Sequence, residues 1–373
     1  MSVIADDRYH QFSVGHTTRQ LIGTALSTYV YRRTSSRLMA QGLQLPRSNF
    51  ILNMRNARTR NIPCNHRSKH LEENEVYDAR AHCPICLYSG KRIQGIRLQS
   101  NPIIHLLHCP ACGGRSAAWM PRPEVLQNYY SGYFDSSAAA GESDAVCVTF
   151  QGIERFACHL IRAMPLAAGT SPVRILDYGG GDGSLALAIA KYLGKRPVSI
   201  TLVDYQEPRA MPVPEHVQVV HLTELSQVQE KDPGRKFDIV LASAVTEHIP
   251  ELNGVLNLLF GMIEPGGYFY ARTPYMSNLI AYLRFIDFVY PAHVHDLGAS
   301  FWNRITKTFH LNADIIVSRP SIVESEWRKA FIRTLVAYTL KFPAHIEGKI
   351  APHRVDRWWN LVGGWEVVLR TRQ

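Results

Sequence analysis

The stretch Ile175-Leu-Asp-Tyr-Gly-Gly-Gly-Asp-Gly183 decides the fold, because an apolar run passes directly into a glycine-rich loop. Val173–Asp177 is predicted to be a short buried strand that ends in an acidic residue. The apolar, alanine-rich segment Ser184–Leu193 predicts a helix after the loop. Glycine lets a backbone turn sharply and approach a ligand without a Cβ atom in the way. Since ligands of open α/β sheets bind at the carboxyl ends of strands, the loop is a predicted ligand site.

The segments after this loop alternate between strand and helix patterns. A helix is predicted at Pro250–Ile263, between two apolar runs. Further strands are predicted at Ser199–Asp204, Val217–His221, Phe237–Ala242, Tyr268–Arg272 and Trp365–Leu369. Such alternation is typical of a mostly parallel sheet with helices on both faces. Residues 276–300 and 320–350 are aromatic-rich insertions that interrupt the alternation, and we interpret them as lids over a substrate pocket.

The glycine spacing in the loop bears on the choice between two cofactors. The dinucleotide fingerprint Gly-x-Gly-x-x-Gly is not met, because its third glycine position, counted from Gly179 and Gly181, is Ser184. The pattern Asp177-x-Gly179-x-Gly181-x-Gly183 resembles motif I of class I S-adenosylmethionine methyltransferases. The resemblance implies a Rossmann-like domain with a mostly parallel seven-stranded sheet. It also implies that this loop wraps the methionine part of the cofactor and that the strand-end acid helps to orient it.

Later segments extend the resemblance over about Pro172 to Arg272. Asp204 stands at the end of the second strand, where the family holds the ribose hydroxyls, and Glu-Pro-Gly-Gly at 264–267 matches the family's turn before strand five. The segment Glu247-His248 after strand four is similar to that of small-molecule methyltransferases. The cofactor-binding residues implied by the resemblance are Asp177, Gly179, Gly180, Gly181, Gly183, Asp204, Thr223, Glu224 and Ser243.

Three histidines are the candidate catalytic residues. His248 follows the fourth predicted strand, close to the expected position of the methyl group. His293 and His295, in the first insertion, resemble the His-x-His segment at which a cap meets the substrate in relatives. Histidine titrates near neutral pH, so each could act as a base toward a hydroxyl or an acidic carbon, or pack locally. Glu247 would brace this loop, whereas His293 and His295 could instead bind a metal, for which the sequence offers no obvious third ligand.

Two Cys-x-x-Cys pairs predict a structural zinc site. The pairs are Cys83-Pro-Ile-Cys86 and Cys109-Pro-Ala-Cys112, and a gap of about twenty residues between pairs is typical of such sites. Four thiolates close a tetrahedral Zn²⁺ site and leave no position open for catalysis. The alternative is a group of free thiols in a core. Residues 76–120 are therefore interpreted as a zinc ribbon.

The order of the modules extends the resemblance toward the amino end. It resembles bacterial small-molecule and sugar methyltransferases in which a zinc ribbon precedes Tyr-Tyr-x-x-Tyr-Phe and then the catalytic domain. Tyr129, Tyr130, Tyr133 and Phe134 match that connector, which we assign to residues 121–150. The Rossmann-like domain is assigned to residues 151–373. The front of the chain departs from this pattern, because no acidic residue occurs between Asp7 and Glu72.

Composition limits the class of protein. The 373 residues are 46% hydrophobic and 19% charged, which is typical of a globular protein, and the net charge is +10. We interpret residues 1–75 as a basic, poorly ordered extension, with a transit peptide or a contact with nucleic acid as alternatives. No apolar run reaches the ~20 residues that a membrane-spanning helix needs, and a cytoplasmic protein is expected.

The predicted function is transfer of a methyl group from S-adenosylmethionine to a small-molecule or sugar or glycan acceptor. An RNA or DNA methyltransferase is the first alternative, in which the ribbon and the basic extension bind phosphates. No Asn/Asp-Pro-Pro-Tyr motif follows strand four, where base methylation would use one. A binding scaffold without catalytic activity is the second alternative. The sequence names neither the acceptor nor the oligomeric state.

Overall fold

A computed structural model describes most of the chain beyond the basic front. The described residues are 69–138, 153–166, 169–205, 212–274, 288–321, 331–350 and 364–373. Nearly all of the predicted extension 1–75 lies outside these residues, as do parts of both predicted insertions. Residues 64–373 form one unit by their mutual contacts. Among the helices described, none combines the length and apolar composition needed to cross a bilayer.

A small antiparallel β module contains the cysteine pairs. Its strands are β1 (Val76–Asp78), β2 (Ile93–Ser100), β3 (Ile103–His108), β4 (Arg115–Ala117) and β5 (Trp119–Pro121). β1 pairs with β5, while β2, β3 and β4 form an antiparallel ladder. Helix α1 (Pro123–Ala138) follows directly, so the predicted connector begins as a helix.

The remaining elements alternate much as the sequence predicts. The helices are α2 (Ile153–Ala163), α3 (Ser184–Tyr192), α4 (Ser226–Lys231), α5 (Leu252–Gly261), α6 (Ala299–Trp302), α7 (Ile305–Thr308) and α8 (Phe331–Ile350). The strands are β6 (Val173–Tyr178), β7 (Val198–Val203), β8 (Val217–Leu222), β9 (Phe237–Ser243), β10 (Ile263–Pro274), β11 (His295–Asp296), β12 (Ala313–Pro320) and β13 (Gly364–Thr371).

Seven of these strands form one sheet in the order β12-β13-β10-β9-β6-β7-β8. β6 to β10 run parallel, and β13 is antiparallel to both β10 and β12. This confirms the predicted mostly parallel seven-stranded sheet. Because β6 pairs with β7 on one side and β9 on the other, the strand order reverses there. A crevice at such a reversal is where open α/β sheets bind ligands, and the glycine loop follows β6.

The sheet is buried on both faces, as alternate residues of β9 demonstrate. Ile239 and Leu241 join the apolar cluster that contains α2 and α3. Val240 and Ala242 point into a second cluster, which contains α5 and three of the four paired cysteines. Strands that are buried on two faces carry continuous apolar runs, which explains the sequence pattern. The cysteine module therefore shares a core with the sheet.

Candidate active site and cysteine cluster

The glycine loop has backbone conformations and close contacts that a side chain would disturb. Gly179, Gly181 and Gly183 have φ values of 64°, 58° and 74°, in the left-handed region that favours glycine. A Cβ atom on Gly179 would lie 2.4 Å from the Val245 side chain, and one on Gly180 would lie 2.5 Å from the Asp177 carboxylate carbon. At Gly181, by contrast, no atom of the described residues lies within 4 Å of the Cβ position. The loop therefore packs tightly on its neighbours and leaves open space above Gly181.

Two carboxylates flank this loop at the ends of adjacent strands. Asp204 accepts a hydrogen bond from the Gly181 N–H at 2.9 Å. Asp177 is buried, and its Oδ2 atom has no hydrogen-bond partner. Burial, and secondarily the charge of Asp204, raises the pKa of Asp177 to about 7. A buried carboxylate oxygen without a donor is costly, so this atom suits a cationic or hydrogen-bonding ligand.

The other predicted cofactor residues lie at the carboxyl ends of β8 and β9. Thr223 and Glu224 are exposed, and the side-chain oxygen of Gln227 accepts the Thr223 N–H at 3.1 Å. His221 donates from Nε2 to the backbone oxygen of Asp204 at 2.8 Å, which ties this end of β8 to that of β7. The Ser243 Oγ atom, at the end of β9, is buried and has no hydrogen-bond partner.

His248 lies beside the loop that follows β9. Its Nδ1 atom is 2.7 Å from the backbone oxygen of Ala292 and 2.9 Å from the hydroxyl of Tyr130. Because a carbonyl oxygen only accepts, Nδ1 carries the proton, and Nε2 holds the lone pair in the neutral ring. The His293 ring lies 4.8 Å from the His248 ring, measured between centroids. The structure thus brings together two of the three candidate catalytic histidines.

Glu247 completes this group. Its side chain is 1% exposed, and neither carboxylate oxygen has a hydrogen-bond partner on another described residue. Its Oε1 atom lies 3.7 Å from Nε2 of His248. Burial raises the pKa of Glu247 to about 8, while its own backbone N–H and the charge of Arg272 act in the opposite direction. The sequence interpretation of Glu247 as a brace does not account for two buried oxygens without donors.

His295 has a different environment from the other two candidate histidines. The ring is 1% exposed. Its Nε2 atom donates to the backbone oxygen of Ile249 at 2.7 Å, and its Nδ1 atom accepts from the Ser116 hydroxyl at 2.9 Å. Burial lowers the pKa of His295 to about 4. With both nitrogens bonded in the core, this ring holds chain segments together and presents neither nitrogen to a substrate.

Sequence reasoning missed two aromatic residues at the site. Tyr130, on α1, donates to the backbone oxygen of Ala292 at 3.2 Å and lies against His248. Its ring is 6.0 Å from that of Tyr205, the residue after Asp204. Tyr130 therefore lies between the end of β7 and the histidines. The Tyr-Tyr-x-x-Tyr-Phe motif was the available signal, but it was interpreted only as a connector.

The four paired cysteines form one cluster with the geometry that zinc requires. All four Sγ atoms lie within 4.8 Å of one another, with 3.9 Å between Cys83 and Cys112 and 3.7 Å between Cys86 and Cys109. A disulfide would need about 2.05 Å. Thiolates at about 2.3 Å from a tetrahedral Zn²⁺ ion are about 3.8 Å apart. The residues therefore fit a structural zinc ion.

The cluster is anchored to the sheet domain by hydrogen bonds. The Asn253 side chain, in the first turn of α5, donates to the Ile85 oxygen at 2.8 Å. The Ser300 hydroxyl donates to the Gly113 oxygen at 2.7 Å, and a Cβ atom on Gly113 would lie 2.5 Å from the Ser300 oxygen. Strand β4 then pairs with β11, which follows His293 by two residues. The cysteine module is thereby paired with the chain segment that carries His293.

The strand order, the glycine loop after the central strand and the acid after β7 together define a class I methyltransferase fold. Residues 150–311 match the model of a family described as a methyltransferase domain. This part of the chain is therefore similar to a methyltransferase domain.

Curated relatives resemble this domain over part of their length. A sterol 24-C-methyltransferase of Aspergillus fumigatus is 32% identical over 123 residues, which are 32% of each chain. A ubiquinone biosynthesis O-methyltransferase of Paramagnetospirillum magneticum is 30% identical over 118 residues, which are 32% of this chain and 47% of that protein. The chain thus spans less than half the length of these two relatives.

Solved structures also resemble the chain. The plantazolicin methyltransferase BpumL, in complex with a triazolic desmethylPZN analog and SAH, aligns with a TM-score of 0.42 at 15% identity. The alignment covers 66% of this chain and 95% of that one.

Proposed function

We propose that this protein transfers a methyl group from S-adenosylmethionine to a small-molecule acceptor, with sugars and glycan precursors among the candidates. The observation that carries the proposal is the pairing of an open glycine loop with a buried acid that has one oxygen without a donor among the described residues. Asp177 Oδ2 lacks a donor, while the space above Gly181 is open and Asp204 is tied to the same loop. The family match over residues 150–311 supports the choice of cofactor.

Each flanking group suits one part of the proposed cofactor. Asp177 would take its charged amino group, because a cation near this buried carboxylate offsets the cost of burial. Asp204 would take the ribose hydroxyls, with Thr223, Glu224 and Ser243 as further candidate contacts at the same edge of the sheet. When bound, S-adenosylmethionine supplies an already activated methyl group. The chain is left with the tasks of alignment and exclusion of water.

The acceptor side of the site is proposed to be formed by Tyr130, Glu247, His248 and His293. The glycine loop contacts this side, since Val245 lies against Gly179 and the Val245 oxygen accepts the His248 N–H at 3.0 Å. Histidine and tyrosine side chains can hold and orient a hydroxyl-bearing acceptor by hydrogen bonds. Ring positions that are fixed by bonds to Ala292 favour alignment of the acceptor with the methyl group.

The test incubates the zinc-loaded protein with methyl-labelled S-adenosylmethionine and a cell extract. The extract is then separated into small molecules, nucleic acid and protein, and the label in each fraction is measured. Label in the small-molecule fraction is expected, and an Asp204→Ala variant should not transfer it. Label that enters RNA or DNA instead would overturn the acceptor class and favour a nucleic-acid methyltransferase. A folded, zinc-loaded protein that binds no S-adenosylmethionine would overturn the whole proposal.

A further inference from the structure

A second set of metal-ligating side chains lies apart from the four cysteines. The ligand atoms of Glu247, His248 and His293 all lie within 4.8 Å of one another. Two histidines and one carboxylate form a common ligand set for divalent transition metals in proteins. The sequence suggested a metal at His293 and His295, without a third ligand. The structure removes His295, whose nitrogens are both bonded in the core, and supplies Glu247 and His248 in its place.

The separation of Glu247 and His248 fits a shared ion. Two atoms that each lie about 2.1 Å from one ion are roughly 3 to 4.2 Å apart, depending on the angle between them. His248 Nε2 and Glu247 Oε1 are 3.7 Å apart, which falls within that interval. This distance is too long for a hydrogen bond between them. A gap of this size between a nitrogen and a carboxylate oxygen is the space that an ion would occupy.

The orientation of His248 is also that of a metal ligand. A metal-binding histidine usually donates its other ring N–H to a carbonyl or carboxylate, which fixes the tautomer. His248 Nδ1 makes this contact with the Ala292 oxygen at 2.7 Å. Nε2 is therefore the nitrogen that carries the lone pair, and it is the nitrogen on the Glu247 side.

Glu247 supplies the independent sign of a missing cation. Both of its carboxylate oxygens are buried without a hydrogen-bond partner. Arg272 acts on this carboxylate electrostatically, but no hydrogen bond joins the two groups. Buried charges are ordinarily paired with a counter-charge or coordinated to a metal. A metal ion bound to one or both carboxylate oxygens would supply the missing partner.

The backbone around the three residues is held in place. The backbone oxygen of Glu247 accepts the N–H of Val294 at 2.8 Å, and the backbone N–H of His293 donates to the backbone oxygen of Val289 at 2.7 Å. The first bond joins the loop after β9 to the segment before β11, and the second lies within that segment. Metal sites require ligands on supported backbone, because small displacements weaken coordination.

We propose that Glu247, His248 and His293 bind one divalent transition-metal cation. Three protein ligands leave coordination positions open, as in metal sites that bind a substrate. An acceptor with a hydroxyl or carbonyl oxygen would fill an open position. This consequence for the acceptor rests on the proposed methyl transfer, whereas the cation site itself does not.

The test is binding of Mn²⁺ to the full, zinc-loaded chain without cofactor or acceptor, followed by electron paramagnetic resonance of free Mn²⁺. Mn²⁺ suits carboxylate ligands, while the soft thiolate cluster retains zinc. Saturable binding of one Mn²⁺ per chain is expected. Glu247→Gln and His293→Gln should each weaken it at least about tenfold, because changes even outside the ligand set cost 10–100-fold. His310→Asn is the matched control, since His310 is exposed and asparagine tolerates its φ of 51°.

Absence of saturable Mn²⁺ binding by the folded wild-type chain would overturn the proposal. Equal affinity in the wild type and in a folded Glu247→Gln variant would overturn it as well, since binding would then occur elsewhere. His293→Gln provides the same comparison if Glu247→Gln does not fold, because His293 is only partly buried. The measurement contains no S-adenosylmethionine, so its failure is distinct from failure of methyl transfer.

Discussion

Ser116 and His295 are joined by a hydrogen bond of 2.9 Å between the serine hydroxyl and Nδ1 of the ring. Ser116 lies on β4, which begins three residues after Cys112, and His295 begins β11, two residues after His293. The same two strands are paired along their backbones. Backbone pairing and this hydrogen bond therefore connect the cysteine cluster to the segment that carries His293.

This connection predicts that loss of zinc affects both stability and activity. Cys112→Ser should abolish stoichiometric zinc and lower the free energy of unfolding by about 4 kcal/mol or more, as loss of a structural metal does. Metal analysis and thermal unfolding measure these effects. Cys158→Ser is the control, because Cys158 lies outside the cluster. Full zinc content in Cys112→Ser, or none in the freshly purified wild type, would contradict the assignment.

Asp177 is predicted to lower the free energy of unfolding above about pH 7, although the same carboxylate favours cofactor binding. Its carboxyl titrates near 3.9 in an unfolded chain but at about 7 in the folded one. Between those pH values the folded state binds the additional proton, so this group makes the protein less stable as pH rises from about 4 to about 7. Asp177→Asn should therefore raise the melting temperature at pH 8 and abolish tight binding of S-adenosylmethionine. A variant that is less stable at pH 8 yet binds normally would count against this role.

The same carboxyl predicts a pH-dependent affinity for S-adenosylmethionine. Asp204 and Asp182, the nearby acids, both raise the pKa of Asp177. Below about pH 7 the carboxyl must release its proton to pair with the cofactor's amino group, so affinity falls by up to about tenfold per pH unit. Calorimetric titrations from pH 5.5 to 7.5 measure this slope. Affinity that is flat over this range in the wild type would show that Asp177 does not meet a charged group.

Substitution of two glycines with similar backbone conformations distinguishes the effect of backbone strain from the effect of ligand contact. Gly181 and Gly194 have φ values of 58° and 69°, and neither has an atom within 4 Å of its Cβ position. Alanine should cost each site roughly 1–2 kcal/mol of stability through the left-handed backbone. Only Gly181→Ala should also weaken binding of S-adenosylmethionine, because Gly194 follows the far end of α3. Equal affinity in the two variants would indicate that no ligand approaches Gly181.

Tyr130 is predicted to position His248 without holding the cofactor. Tyr130→Phe removes a hydroxyl that contacts both His248 Nδ1 and the Ala292 oxygen. Loss of one such bond is worth about 0.5–1.5 kcal/mol, so kcat should fall by roughly two- to tenfold. The dissociation constant for S-adenosylmethionine should stay unchanged, as in the exposed control Tyr192→Phe. A large loss of affinity for S-adenosylmethionine would instead indicate that Tyr130 contacts the cofactor.

Local patterns predicted the centre of the sheet well because β6, β7 and β9 are largely buried and rich in apolar residues. The predicted Val173–Asp177 strand is one residue shorter than β6, and the predicted Trp365–Leu369 strand lies within β13. Strand β12 was not predicted. It lies at the sheet edge, and several of its residues are partly or fully exposed, which weakens the apolar signal.

The sequence was less informative about side chains that meet across long separations. Tyr130 and His248 are 118 residues apart, and their contact depends on how α1 packs against the loop after β9. His293 and His295 look equivalent in sequence, yet His293 lies in the irregular segment before β11, whereas His295 lies within that strand. His295 is buried in the core, while His293 lies beside His248. Only tertiary packing distinguishes them.

Calorimetric titration of the zinc-loaded chain with S-adenosylmethionine tests the central claim most directly. Binding at one site per chain is expected, with affinity reduced at least tenfold by Asp204→Ala, because its carboxylate is tied to the Gly181 N–H. Thermal unfolding of the same samples establishes that both proteins are folded. A folded, zinc-loaded wild type that binds no S-adenosylmethionine, or an Asp204→Ala variant that binds it equally well, would contradict the account.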